Sequence, residues 1–398
     1  MAQGPHSDSM SLHPHWGHGP LLEALARAHL EETLPATLLI HGAKGTGKQH
    51  LALWVSRMLL CEAPGPEGPC EECHACHLAG KLEHPDIHWY FPLPRPKNAS
   101  TPEKLAQGLE DARGEALAEF RANPLQPIGD NEPKSLYLAA ARNLRRRAQR
   151  RPSMCDHQIF IIAEAEALAP QESSSEAANA LLKLLEEPPS GTTLILTSAE
   201  PGRLLPTIRS RTTRLHLPPL KKRVVTEFLM AEAGVEKVEA ERVGGLSKGS
   251  IGRALGFLRV GDEAGLLEQT RAAAIGLLAA ALATGREKSI QKAISFRPVG
   301  ARGLRDLFDF LEEGLGELAR VASGHSLQTG TPEEVQFFQD VVGRWKIHPA
   351  AVPLAIQKVD EARGLASGNV NPQLVIYGLL HDLRRELTQP DRTAIPGR

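Results

Sequence analysis

The segment from Thr37 to Leu60 constrains this chain more than any other. A short apolar run, Thr37-Leu38-Leu39-Ile40-His41, leads into Gly42-Ala43-Lys44-Gly45-Thr46-Gly47-Lys48-Gln49, and a helix-forming stretch then runs from Lys48 to Leu60. Strand, glycine loop and helix are the setting in which the pattern G-x-x-x-x-G-K-[ST] cradles phosphate. The glycines let backbone N–H groups close around the anion, the lysine reaches the terminal phosphates, and the final hydroxyl holds Mg²⁺. Gly42, Gly47 and Lys48 are in place, but Gln49 stands where the hydroxyl belongs. A glutamine offers a metal only a neutral amide oxygen on a longer arm. The segment therefore predicts an α/β domain and leaves open whether its loop works as a nucleotide site.

The rest of the first half supports that fold class. Gln158 to Ala163, with Ile159-Phe160-Ile161-Ile162 at its heart, and Thr193 to Ser198 read as buried strands. Helical patterns lie at Leu21–Leu30, in an arginine-rich stretch that starts near Ser135 and runs to Pro152, and at Ala177–Glu187, where Pro188-Pro189 stop the helix. Strands alternating with helices predict a parallel sheet covered on both faces. Residues 91–133, rich in Pro, Asn, Gly and charge, read as an insertion with one helix near Glu103–Phe120. After Leu217-Pro218-Pro219 the strand signals end and the pattern is helical, with a last helix opening at Asn371-Pro372.

The expected organisation is a disordered leader at 1–17 and an α/β nucleotide-type domain at 18–217. A small helical lid at 218–262, an all-α C-terminal domain at 263–390 and a tail at 391–398 follow. With 398 residues, 41% hydrophobic and 4% aromatic, the chain has enough apolar material for two or three mainly helical cores. A formal net charge of −1 excludes a global basic field, so any nucleic-acid contact has to come from a local patch. No apolar run reaches the ~20 residues of a membrane span, and the N-terminus lacks the apolar stretch of a signal peptide. The expectation is a cytoplasmic protein without membrane contact.

Four of the five cysteines fall within sixteen residues: Cys61, Cys70, Cys73 and Cys76, spaced C-x8-C-x2-C-x2-C. Four thiolates make a closed tetrahedral Zn²⁺ site with no position left for water or substrate, which makes the predicted module at 61–76 structural. His74 and His77 are alternative ligands nearby. Cys155 stands alone and carries no expected role.

Together these residues resemble the bacterial DNA polymerase III clamp-loader subunits of the AAA+ class. The phosphate loop followed directly by the four-cysteine spacing is a pairing peculiar to that family. Ala178 to Pro189 is similar to its most recognisable segment, Leu204 to Arg211 to the motif that carries an arginine finger, and Asn369 to Leu380 to its final collar helix. His84-Pro85-Asp86 matches a tripeptide frequent in the delta-prime branch, expected to form a turn. The resemblance spans about His18 to Leu387, apart from the 91–133 insertion and a few residues around Gln171–Glu176. It implies an AAA+ α/β domain, a lid and a helical collar.

The family contains hydrolysing members, gamma and tau, and the non-hydrolysing delta-prime. In hydrolysing members an Asp-Glu pair closes the second conserved strand; here the pair is Ala163-Glu164. In their lid motif an arginine reaches the nucleotide; here Gly252 takes that place and Arg253 follows one residue later, about 100° further round a helix. Both protein contacts to Mg²⁺ are missing, while Arg211, which serves a neighbour's site, is retained.

The resemblance thus implies a non-hydrolysing stator of the clamp loader. It would join gamma/tau and delta subunits and supply Arg211 in trans during loading of the β sliding clamp onto primed DNA. Gly42, Gly45, Gly47 and Lys48 remain as a degenerate cradle for ATP or ADP, and Cys61, Cys70, Cys73 and Cys76 as the ligands of a structural Zn²⁺. Two rival expectations stand beside this one: a gamma/tau-type ATPase whose altered loop still works, and a switch that binds nucleotide without hydrolysing it. Arg142, Arg145, Arg146, Arg147, Arg150 and Arg151 read either as a face toward DNA phosphates or as a solvated helix surface.

Overall fold

The computed structural model describes residues 15–97, 99–122, 134–168, 176–296, 300–327, 330–366 and 370–388. Residues 1–14 of the expected leader, 98 and 123–133 of the insertion, 169–175, 297–299, 328–329, 367–369 and 389–398 lie outside the described residues. The described residues form two compact units, one up to Leu255 and one from Gly256 on.

The first unit opens with α1 (Gly19–Leu30), β1 (Thr37–His41) and α2 (Lys48–Leu60), followed by α3 (His74–Gly80) and β2 (Ile87–Tyr90). β3 (Leu93–Pro94) and β4 (Lys134–Ser135) pair as a short antiparallel ribbon, and the insertion helix α4 (Pro102–Ala122) lies between them in sequence. Next come α5 (Leu138–Ala148), β5 (Gln158–Ile162), α6 (Glu176–Glu186), β6 (Thr192–Ser198), the one-turn α7 (Pro206–Arg209) and β7 (Thr213–His216). The helices α8 (Lys222–Ala231), α9 (Lys237–Leu246) and α10 (Ile251–Phe257) follow.

Five strands form one parallel sheet in the order β2-β5-β6-β1-β7. Period-two alternation sorts their side chains. Leu39, Phe160, Ile162, Leu194 and Leu196 pack with α5 and α6 on one face. Leu38, Ile40, Ile159, Ile161 and Ile195 pack with Leu51, Val55 and Met58 of α2 on the other. Because all strands run the same way, their carboxyl ends share one edge, the edge where open α/β sheets build ligand sites.

β1, β5 and β6 match the strands expected from the sequence, whereas β2 and β7 carry no such expectation. The side chains of β7 are all exposed or half-buried, as suits an edge strand, so Thr-Arg-Leu-His carries no apolar signal. β2 is the other edge and is covered by the insertion: Trp89 packs on Phe120 with ring centroids 5.2 Å apart, and Arg121 donates to the Leu82 carbonyl at 2.6 Å. Such cover blunts the row of unpaired backbone groups on an edge strand. The arginine-rich helix ends at Ala148 rather than Pro152, because the proline disfavours helical backbone at Arg151 and the chain turns with Arg150 N–H on the Arg147 carbonyl. Residues 15–17, inside the expected leader, are packed: the Trp16 ring meets Phe228 of α8 edge-on at 5.8 Å.

The second unit holds α11 (Leu266–Ala281), α12 (Arg286–Ser295), α13 (Gly300–Ala322), α14 (Pro332–Trp345), α15 (Val352–Ala366) and α16 (Pro372–Thr388), with no named strand among the described residues. α13 packs against α11 and α15, and α16 against α15, around buried Leu278, Phe308, Leu311, Leu315, Val359 and Leu380. Asn371 caps α16 by accepting the Gln373 N–H at 2.8 Å, with Pro372 at the first helical position as its sequence predicts. No helix among the described residues is long and apolar enough to cross a membrane.

Candidate functional site

The glycine loop leaves the carboxyl end of β1 and enters α2 as its sequence predicts. Gly45 and Gly47 hold φ of 75° and 91°, a region open to glycine at no steric cost. Gly42 has no room for a side chain: a Cβ there would lie 2.2 Å from the Leu217 carbonyl oxygen. Lys48 turns back into its own loop, where its Nζ donates to the Gly42 and Ala43 carbonyls at 2.9 and 2.7 Å. The side chain is buried, and burial pushes its ammonium down to about 8 against the pull of Glu166 and Glu164.

The start of α10 closes over the same loop. The Gly252 N–H donates to the Gly45 carbonyl at 3.0 Å, and a Cβ on Gly45 would sit 2.3 Å from the Ser250 hydroxyl oxygen. A Cβ on Gly252 would meet the Gly45 Cα at 3.1 Å, a tight contact that a side chain there would press against. The neighbouring Arg253 directs its Nε to the Leu246 carbonyl at 3.1 Å, at the end of α9.

At the end of β5, Ala163 is fully buried and its N–H bonds to the Tyr90 carbonyl at 2.8 Å. Glu164 is exposed, in left-handed backbone at φ 49°, an uncommon conformation for a residue with a side chain. Glu166 escaped the sequence reading. Its Oε1 accepts the Ala199 N–H at 3.1 Å, while its buried Oε2 has no hydrogen-bond partner among the described residues. It is also the foremost charge acting on Lys48. The Glu-Ala-Glu alternation after β5 was the only sign of it.

Two side-chain oxygens that would hold Mg²⁺ beside a nucleotide are absent from this donor set. Gln49 is half-buried at the second position of α2, and Ala163 has no oxygen to offer. Lys48 spends two donors on its own loop.

Arg211 lies two residues beyond α7. Its Nη1 donates to the Thr207 carbonyl at 3.1 Å, its Nη2 to Glu186 Oε1 at 3.4 Å, and its Nε stands 3.3 Å from Glu186 Oε2. Of the six arginines around α5, Arg147 bonds to Asn143 at 3.0 Å and pairs with Glu110 of α4 at 3.4 Å. Arg142, Arg145, Arg146, Arg150 and Arg151 are exposed.

The four cysteines converge. The sulfurs of Cys61, Cys70, Cys73 and Cys76 all lie within 4.8 Å of one another, close to the ~3.8 Å edge of a tetrahedron with 2.3 Å Zn–S bonds. Their backbone N–H groups point at the sulfurs: Cys70 N–H at Cys61 Sγ (3.2 Å), Cys73 N–H at Cys70 Sγ (3.4 Å) and Cys76 N–H at Cys73 Sγ (3.4 Å). The N–H groups of Cys73 and Glu72 draw the Cys70 thiol down to about 7, while burial raises Cys61 and Cys76. The turn between Cys61 and Cys70 is closed by reciprocal Gly65–Gly68 hydrogen bonds of 2.8 and 3.0 Å. Gly68, at φ 124°, lies against Trp54, whose ring a Cβ would meet at 2.4 Å. The residues fit a metal such as Zn²⁺, which would bind them as thiolates and tie α2 to α3. His74 and His77 are not part of this cluster.

A second cluster joins residues expected only as a turn and a bystander. Asp86, almost wholly buried, accepts the N–H groups of Ser153 (2.5 Å), Met154 (2.9 Å) and Cys155 (3.0 Å). His84 Nδ1 accepts the Asp86 N–H at 3.2 Å, which assigns the ring proton to Nε2, 3.6 Å from Cys155 Sγ. With the histidine's nitrogen protonated and three acceptor positions of the carboxylate filled, the cluster serves as a rivet between β2 and the loop into β5.

The fold and site define a class: an α/β unit with a phosphate-type loop and a four-cysteine cluster, followed in the chain by a helical unit. A family model described as "DNA polymerase III, delta subunit" matches residues 17–221, more than half of the chain. The chain belongs to that family. The delta' subunit of DNA polymerase III from Pseudomonas aeruginosa is 33% identical over 213 residues, 53% of this chain and 52% of the relative. The delta' subunit of Bacillus subtilis is 30% identical over 202 residues, 51% of this chain and 48% of the relative. The tau subunit of Bacillus subtilis is 24% identical over 225 residues, 56% of this chain and 32% of the relative. The chain spans about half the length of the curated delta' relatives it matches. Among solved structures, a gamma-subunit-related protein of Thermotoga maritima covers 92% of this chain and 99% of its own at 17% identity and a TM-score of 0.38.

Proposed function

We propose that the chain is a delta-prime-type, non-hydrolysing subunit of a clamp loader. It acts as a stator that joins gamma/tau and delta subunits, and it presents Arg211 to a neighbouring subunit's ATP while the β sliding clamp is placed on primed DNA. The observation that carries this reading is the closed glycine loop: Lys48 bonded to the Gly42 and Ala43 carbonyls, with the Gly252 N–H of α10 on Gly45. Two of the three donors of Lys48 are bonded inside its own loop, and the positions that would hold Mg²⁺ are Gln49 and Ala163.

In this reading the chain works on the neighbour's chemistry. An arginine supplied in trans stabilises charge on the transferring γ-phosphoryl group and is worth roughly 10³–10⁵ in rate. Zn²⁺ held by Cys61, Cys70, Cys73 and Cys76 is the structural cofactor of this reading. The test has two arms. The isolated chain should hydrolyse ATP no faster than its Lys48→Ala variant; a higher rate supports the gamma/tau-type reading instead. In a complex reconstituted with its partner subunits, Arg211→Ala should slow clamp-stimulated ATP hydrolysis without preventing assembly, and an unchanged rate would refute the finger.

A second reading, a nucleotide-binding switch, draws on the conformations of Gly45 and Gly47, which keep the shape of a cradle. Equilibrium binding of labelled ATP with and without Mg²⁺ decides it: no binding removes the switch.

A further inference from the structure

We infer that Glu186 is the positioning residue for Arg211, holding one edge of its guanidinium so that the other edge is aimed outward; this rests on the arginine-finger reading above. Glu186 is the last residue of α6, whose buried Leu181, Leu184 and Leu185 fix the rotation of the helix and leave Glu186 facing solvent. Pro188-Pro189 end the helix directly afterwards, so the carboxylate is presented from a fixed helix end. Arg211 is fixed from the other side. α7 packs against α6 with Ile208 fully buried, and the Thr212 hydroxyl bonds the Ile208 carbonyl at 3.3 Å.

The guanidinium has five N–H donors. One N–H of Nη2 donates to Glu186 Oε1 at 3.4 Å and one N–H of Nη1 to the Thr207 carbonyl at 3.1 Å, while Nε stands 3.3 Å from Glu186 Oε2 as an ion pair without a hydrogen bond. One donor on Nη1 and one on Nη2 remain, on adjacent nitrogens, the pair that matches two oxygens of a phosphate. Glu186 thus takes the side edge of the fork and leaves the phosphate-matching edge open. Its own negative charge stays on the far side of the arginine from an incoming anion.

The pair is too exposed to carry the fold. The Arg211 side chain is 31% exposed and that of Glu186 56%, and solvent screens such contacts. What the pair supplies is direction. An arginine side chain loses much rotamer freedom when it clamps a phosphate, and a partner that restricts it beforehand removes part of that loss.

The experiment is a double-mutant cycle on the full chain, reconstituted with its gamma/tau and delta partner subunits. It reads clamp- and primer-stimulated ATP hydrolysis at saturating and limiting ATP. Glu186→Gln should lower kcat about 10-fold with KM for ATP unchanged and with the thermal midpoint of the isolated chain unchanged. In an Arg211→Ala background, Glu186→Gln should have no further effect. If Arg211→Ala slows the complex but Glu186→Gln is silent, or costs the same when Arg211 is absent, the positioning role is overturned while the finger stands. A faster Glu186→Gln complex also overturns it, by making Glu186 a brake. If Arg211→Ala itself leaves the rate unchanged, the finger reading fails and takes this inference with it.

Discussion

Replacing Asp86 with alanine removes three hydrogen bonds at once, since its two carboxylate oxygens accept the N–H groups of Ser153, Met154 and Cys155 at 2.5, 2.9 and 3.0 Å. Hydrogen bonds to a charged group contribute about 1.5–3 kcal/mol each, which sets an upper bound near 9 kcal/mol. That bound is not reached, because Ser153 and Met154 are exposed and water can take up their N–H groups once the carboxylate is gone. Counting about 1 kcal/mol for each of the two exposed N–H groups and about 1 kcal/mol, the low end for a donor left unsatisfied, for the half-buried Cys155 gives ~3 kcal/mol for Asp86→Ala, a change of about 10²-fold in the folding equilibrium. Asp86→Asn keeps one oxygen but turns an amide nitrogen toward a donor, so it should cost ~2 kcal/mol rather than restore the site. Urea unfolding followed by tryptophan fluorescence, with Trp89 three residues away and buried, measures the global loss. Amide exchange at 153–155 measures the local one, where protection should fall furthest. A global loss below ~1 kcal/mol with unchanged exchange at those three amides would refute the rivet.

Two further outcomes follow from the site. Elemental analysis should find about one Zn²⁺ per chain, and Cys73→Ser should lower that content and the thermal midpoint together; a folded protein free of metal would contradict the cysteine cluster. His88, stacked on Phe160 at 4.7 Å, is pushed down to about 4 by burial, with Arg147 and Arg113 adding to it. A histidine with a lowered folded pKa contributes stability that is full above its unfolded value near 6.5 and is lost as pH falls toward 4. His88→Phe should therefore flatten the decline in stability between pH 7 and 5, and an unchanged slope there would count against the assignment.

Sequence legibility tracked how each contact is made. The glycine loop was readable because its chemistry is local: strand, glycines, lysine and helix follow one another, and the structure keeps that order to the residue at β1 and α2. The cysteine module was readable for the same reason, its four sulfurs being set by short spacings and one tight turn. β7 was not, because an edge strand with exposed and half-buried side chains has no apolar alternation to detect. Asp86 showed only as a turn, since its partners lie 67 to 69 residues away and are backbone N–H groups that no side-chain pattern reveals. Glu166 was hidden likewise: the N–H it holds belongs to Ala199, 33 residues on, beyond a neighbouring strand.

The three departures at the loop are linked through the backbone. In the proposed reading, Gln49 and Ala163 each stand where a metal-binding oxygen would be, and either change alone affects a ligand. Gly252 acts differently. A Cβ at that position would stand 3.1 Å from the Gly45 Cα, so a side chain there would press on the loop where the Gly252 N–H meets the Gly45 carbonyl at 3.0 Å. In the proposed reading, glycine at 252 lacks the arginine that hydrolysing members use and also lets α10 lie close against the loop. Restoring a hydroxyl at 49 and a carboxylate at 163 would therefore supply metal ligands to a cradle that α10 still covers and whose lysine is already bonded within it.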